Sequence, residues 1–186
     1  MGFPLQLSFS RGFSRTIEVR GVADVLLKDV GGSRAADGRW PLAIDSSGRT
    51  ATFLQYTGAA VFHMNDLRQM DTDRLRRALL KGLLYGGCLF VDLDSFDFET
   101  SVVEEPFNRV ETGLFKKLVD RSVLYSYLLP RRFCSLITKS VRDDFCEGAF
   151  MDENISKFVL GFVTSHRNPN FDFAKQFYTV FVRQDA

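Results

Sequence analysis

Apolar residues along this chain follow two alternating rhythms, and the alternation predicts its elements. Largely apolar runs of strand length occupy residues 42–44, 59–64, 88–94, 157–164 and 177–183. Runs without polar alternation belong to strands covered on both faces. Between them the period lengthens to that of a helix. Thr50, Phe53, Leu54 and Tyr56 recur at helical spacing, with Asp45, Ser46 or Ser47 placed to cap and Thr57-Gly58 to stop. Leu75, Ala78, Leu79, Leu83 and Leu84 share one face of a second helix, opposite Arg74, Arg76, Arg77 and Lys81. Asp71 or Thr72 caps that helix, and Gly86-Gly87 ends it. Strand, helix, strand, helix, strand in close succession is the rhythm of parallel βαβ units with right-handed crossovers.

The remaining chain is less regular. A helix is expected over residues 111–120, residues 124–129 and 133–138 fit helix and strand equally, and residues 139–155 form a charged excursion. Residues 165–170 read as a turn that breaks the strand before them. Before residue 39, residues 5–9 and 16–19 alternate as short edge strands, and residues 22–27 read as a helical turn. The polar, glycine-bearing stretch 28–38 marks a boundary. The expected organisation is therefore an N-terminal arm and linker, 1–38, and an α/β domain, 39–186, built on a five-stranded, mostly parallel sheet flanked by helices.

Charge and composition narrow the function classes. Twenty-four basic and 23 acidic residues leave a formal net charge of +1, so no global field argues for nucleic acid or a membrane surface. No apolar run approaches the roughly 20 residues that span a bilayer. Nineteen phenylalanines against one tryptophan point to a Phe-packed core. The three cysteines, Cys88, Cys134 and Cys146, lack C-x-x-C spacing and have only His63 and His166 to help, so free thiols and no metal site are expected. Cys134 or Cys146 with His166 lacks the turn that presents a thiol nucleophile. No G-x-S-x-G, H-E-x-x-H or EF-hand pattern occurs. Arg11, Arg15 and Arg20, with no acid before Glu18, read as a basic arm in preference to an organelle-targeting segment. Gln6 stands where N-myristoylation needs Ser or Thr.

One stretch carries candidate chemistry. Trp40-Pro-Leu-Ala-Ile-Asp45-Ser-Ser-Gly48-Arg49-Thr50 runs from an apolar strand through a small-residue turn into a helix. That is where a P-loop holds phosphate, because its turn aims backbone N–H groups at the anion and the helix N-terminus adds its dipole. Gly48-Arg49-Thr50 aligns with the last three positions of G-x-x-x-x-G-K-[ST], but the first glycine falls on Ala43, inside the strand, and Arg49 replaces lysine. Arginine keeps the charge yet is bulkier and forked.

These residues resemble the large subdomain of an AAA+ module, and more narrowly the degenerate fifth AAA module of dynein heavy chains. There an R-W-P-L-h-I-D-P-x-x-Q-A stretch replaces the P-loop, similar to residues 39–49 here. A later T-T-x-x-x-N-P-x-Y/F segment is similar to Val163-Thr164-Ser-His-Arg-Asn168-Pro-Asn-Phe171. The chain also resembles the dynein-like C-terminal module of IQ-motif and ankyrin-repeat proteins, in which an A-T-F-L-x-Y helix matches residues 51–56 and an A-L-L-x-x-L-x-Y-G element matches residues 78–86. Neither an ankyrin period nor an IQ motif is present in the 186 residues.

The resemblance implies a P-loop NTPase fold without its helical lid and a degenerate nucleotide site at Ser46, Ser47, Gly48, Arg49, Thr50 and Asp92. Asp92 would stand at the Walker B position, near a magnesium shell. The next position, where an AAA+ ATPase carries its water-polarising glutamate, is Leu93, which can neither orient nor deprotonate water. Asp94, Asp97 and Glu99 read as a solvated loop, and Thr164 with Asn168, in the sensor region, is explained by a turn alone. The expectation is thus a non-catalytic, dynein-related docking or scaffold module with no catalytic residues. Its setting would be cytoplasmic, cytoskeletal or ciliary, with protein partners that include axonemal components and, through a parent IQ segment, calmodulin. The alternative is a switch that binds ATP or ADP with magnesium and does not turn it over; a third reading is a phosphotransferase with an unusual loop.

Overall fold

Six short segments rich in β-branched and aromatic residues pair into one sheet in a computed structural model that describes residues 15–66, 71–97, 99–125, 133 and 135–183. The strands are β1 (Arg15–Glu18), β2 (Pro41–Asp45), β3 (Ala60–His63), β4 (Cys88–Asp92), β5 (Val159–Thr164) and β6 (Tyr178–Arg183). Their order across the sheet is β1-β6-β2-β5-β4-β3. Every pairing among the described residues is parallel. The five expected strands are present, and the sixth is the alternating segment near residue 17, which pairs along β6 and extends the sheet. Ile17, the inward residue of that alternation, is buried with Val22, Val25 and Leu26 from the helical turns that follow. The alternating stretch 5–9 lies outside the described residues.

The connections follow from the crossover rule. Helix α1 (Ser33–Asp37) falls within the glycine-bearing connector before β2. Helix α2 (Arg49–Tyr56) carries the chain from β2 to β3 at the far edge. The later crossovers all return in the opposite direction, so right-handed connections place their helices on the other face. Those helices are α3 (Thr72–Tyr85), α4 (Thr100–Val110), α5 (Leu114–Val119), α6 (Ser122–Tyr125), α7 (Asp152–Lys157) and α8 (Phe171–Ala174). Consistently, α3 packs on α4 and α7, while α2 meets the turn at residues 19–21.

The core is packed with phenylalanine as the composition suggests. Phe162 of β5 contacts the rings of Phe115, Phe173 and Phe177 at centroid distances of 6.2, 5.5 and 4.7 Å. Gly161 beside it exists to admit Phe90, since a Cβ there would lie 2.2 Å from the ring.

Several expected details differ. Arg76 does not join the solvated face of α3: it is 8% exposed and donates to Asp73, Thr138 and the carbonyl of Val110. Tyr56 points outward, 87% exposed, because the buried stripe of α2 is Thr50, Ala51 and Leu54. The expected helix 111–120 begins only at Leu114, after a turn that uses Gly113 at φ 74°. The acidic loop then leads into α4, which the sequence hides behind Pro106 in its interior. Residues 126–132 lie outside the described set, and residues 135–138 form turns.

Candidate functional site

The candidate corner sits where ligand chemistry is most often found in open parallel sheets. From the carboxyl end of β2 the chain departs toward β3, and from the adjacent β5 it departs toward β6, the opposite way. Neighbouring strands whose connections leave for opposite faces of the sheet open a crevice outside their carboxyl ends. Asp45, Ser46, Ser47, Gly48, Arg49 and Thr50 lie at that crevice, with Thr164 at the end of β5 and Asp92 one strand further along.

The corner itself is short and self-satisfied. Only residues 46–48 separate β2 from α2. Ala43, where a phosphate loop would begin, is buried in the central strand, opposite Val163 and Val180. The Asp45 carboxylate turns back under the helix. Its Oδ1 accepts from the Ser47 N–H at 2.8 Å and the Ser47 hydroxyl at 2.6 Å, and its Oδ2 accepts from the Thr50 N–H at 2.7 Å. The Gly48 N–H donates to the Asp45 carbonyl at 3.0 Å, and the Arg49 N–H to the Ser47 hydroxyl at 3.4 Å. The four successive N–H groups that could cradle a phosphate are therefore all spent within the turn.

Gly48 occupies the capping position at φ 69°, a left-handed conformation that suits glycine. Of the expected caps it is Asp45, three residues before Gly48, that supplies the carboxylate, and Ser47 serves as one of its donors. Burial pushes the Asp45 carboxyl upward, but the bonds from Ser47 and Thr50 outweigh it and hold it below the ordinary carboxylate range. A buried anion already neutralises the helix dipole at this corner. The Thr50 hydroxyl is sealed from solvent without an aligned partner, whereas Arg49 is exposed.

Asp92 is equally committed. Its Oδ2 lies 2.8 Å from His63 Nδ1, and its Oδ1 accepts the Asp94 N–H at 3.0 Å. Gln55 Nε2 stands 3.0 Å from the other imidazole nitrogen, tying α2 to the pair. The parallel register that sets His63 opposite Asp92 creates this contact. His63 was assigned no such role from the sequence, and the only available signal was its position at the end of an apolar run. Leu93, the residue in the place of a catalytic acid, is 2% exposed and donates its N–H to the Val163 carbonyl.

The acidic loop is structural in its bonding. Asp94 adopts φ 54°, and its carbonyl accepts from Ser165 N–H and the Thr164 hydroxyl. Asp97 accepts from the Asn170 N–H, and Glu99 precedes α4. Thr164 also accepts from the His166 N–H, closing the turn expected there, while Asn168 is exposed. No cluster of metal-ligating side chains occurs among the described residues. Cys134 lies outside them, and no hydrogen bond joins the exposed Cys146 to His166 among the described contacts.

Two depressions, of about 410 and 450 Å³, lie away from the corner. One is beside β1, and the other lies between α4 and α5. No helix among the described residues is long and apolar enough to cross a membrane. No protein-family model and no solved structure matches the chain.

Proposed function

We propose that this chain is a non-catalytic AAA+-like module, related to the degenerate modules of dynein heavy chains, that serves as a structural or docking unit in a cytoskeletal or ciliary assembly. The observation that carries the reading is the Asp45 carboxylate. It takes the place a phosphate would take, accepting from the N–H groups at the start of α2 and leaving the corner neutral without a nucleotide. The bonds of both Asp92 oxygens, to His63 and to the Asp94 N–H, and the burial of Leu93, which has no group to polarise water, add support. A docking role draws support from Phe96 and Phe171, both more than half exposed, which the Asn170 to Asp97 bond holds at the same end of the sheet.

A steady-state phosphate-release assay with magnesium-ATP tests the catalytic half. The expected result is no turnover above buffer, and turnover that Asp92→Ala abolishes contradicts it. Pull-down from axonemal extract tests the setting. Retention of dynein or other axonemal components is expected, and recovery of mitochondrial matrix proteins alone would support a targeting role for the basic N-terminal residues instead. The second reading, a nucleotide-binding switch, rests on the position of the corner where the connections of β2 and β5 leave for opposite faces and on exposed Arg49 beside it.

A further inference from the structure

One edge of the sheet is β1, and the described chain leaves that edge open. Strand β1 pairs with β6 on one side and, among the described residues, with no strand on the other. Its outer row of backbone N–H and C=O groups is a template for a further strand. A trench of about 410 Å³ lies along it, lined by all four residues of β1 and, from the turns that follow, by Val25 and Val30. Ile17 and Val25 are buried beside it, and Val30 stands 60% exposed, held by the bond from its N–H to the Asp24 carbonyl at 2.8 Å. The trench therefore offers main-chain bonds along one wall and apolar surface on one face.

The occupant that fits is the chain's own segment 5–9, which lies outside the described residues. Only residues 10–14, with Gly12 at their centre, separate it from β1. Connections of that length join antiparallel strands. The alternation decides the register. Leu5, Leu7 and Phe9 are odd-numbered, as is the buried Ile17 of β1, while Gln6 and Ser8 share even numbering with exposed Thr16 and Glu18. Residues opposite each other in an antiparallel pair point to the same face, so closing the hairpin at Phe9 and Arg15 sets Leu7 against Ile17, Ser8 against Thr16 and Gln6 against Glu18. Every apolar side chain of the segment then falls on the side of Val25 and Val30, and every polar one faces outward; a register shifted by one residue reverses both. The β1 strand of a second copy offers no such match, since its one apolar side chain, Ile17, is already buried in its own core.

We propose that residues 5–9 dock in the trench as a seventh, antiparallel strand paired to the outer edge of β1, with Leu5, Leu7 and Phe9 over Val25 and Val30. An antiparallel edge strand on an otherwise parallel sheet is a common arrangement. The docked strand satisfies the outer bonds of β1 and covers the exposed Val30. It also takes the β1 edge away from other chains, and the edge that replaces it is short and begins just after Pro4.

Cross-linking of the full chain tests the register. In a Cys134→Ser, Cys146→Ser background, Ser8→Cys with Thr16→Cys places two thiols opposite each other on the outward face, where the Cα separation of such a pair, about 4.5–5.5 Å, lies in disulfide range. Mild oxidation should link them within one chain, read by peptide mapping in a mass spectrometer. Leu7→Cys with Thr16→Cys puts the thiols on opposite faces and should stay reduced under the same conditions. Melting gives a readout free of thiol chemistry and keeps the test decisive if a cysteine variant does not fold: Leu7→Lys should lower the midpoint by several degrees, and Gln6→Lys should leave it unchanged. The proposal is overturned if the two cysteine pairs link equally, or if Leu7→Lys and Gln6→Lys melt alike. A disulfide between chains in place of one within a chain would also overturn it, by assigning the trench to a second copy.

Discussion

Replacing Asp45 by asparagine preserves the shape of the corner but removes its negative charge and turns one acceptor into a donor facing N–H groups. Hydrogen bonds to a charged partner contribute more than neutral ones, so Asp45→Asn should lower stability by about 2 kcal/mol in urea unfolding at neutral pH. The pH dependence has a definite sign. The folded pKa lies below the ordinary value of 3.8, so the contribution is present above that value and disappears as pH falls through the lower folded one. The gap between wild type and variant should therefore be constant near neutrality and close on the acid side of about pH 4; a gap that widens there contradicts the assignment. Gly161 makes a second test at this scale. A methyl group there would lie 2.2 Å from Phe90 Cε1 inside the closed core, so Gly161→Ala should cost about 2–3 kcal/mol with the fold retained. A neutral result would mean that the ring has room to move.

Among the elements, those whose pattern is purely hydrophobic were readable, and those organised by a single polar group were not. The buried strands β4 and β5 and the leucine face of α3 announce themselves because burial on both faces, or on one stripe, leaves a periodic signature. Arg76 leaves none: an arginine in a basic helix reads as solvated, and the arrival of Val110 and Thr138 from α4 and the later turns adds buried acceptors to the one that Asp73 of its own helix supplies. Helix α4 was obscured by Pro106, although Val103, Phe107 and Val110 keep helical spacing around it. The candidate corner was legible as strand, turn and helix, and Asp45 as a capping group. Its hold on two backbone N–H groups and a hydroxyl at once required the turn geometry, and the His63 partner of Asp92 required the strand register. Arg76→Lys tests the polar bolt between α3 and α4. Lysine keeps the charge but loses the fork, and a loss of about 2 kcal/mol in urea unfolding is expected. An unchanged midpoint would show that packing alone holds α3 to α4.

For the molecule as a whole, the segment before residue 39 is part of the sheet's economy even though its composition reads as an arm. Strand β1 covers β6 in register from Arg15 to Glu18, and Ile17 enters the core. Deleting residues 1–18 should expose the β6 edge, cost about 3 kcal/mol and promote self-association, measured by melting and by light scattering. Equal stability with and without the segment would return it to the status of an attachment. At the carboxyl end of β2, an internal carboxylate, Asp45, fills the α2 corner.

The measurement that tests the central claim most directly is thermal melting with magnesium-ATP and ADP on wild type and Arg49→Gln. The expected result is no nucleotide-induced shift in either protein. A rise of several degrees at millimolar nucleotide that Arg49→Gln abolishes would show that nucleotide displaces the Asp45 carboxylate, and would contradict the account.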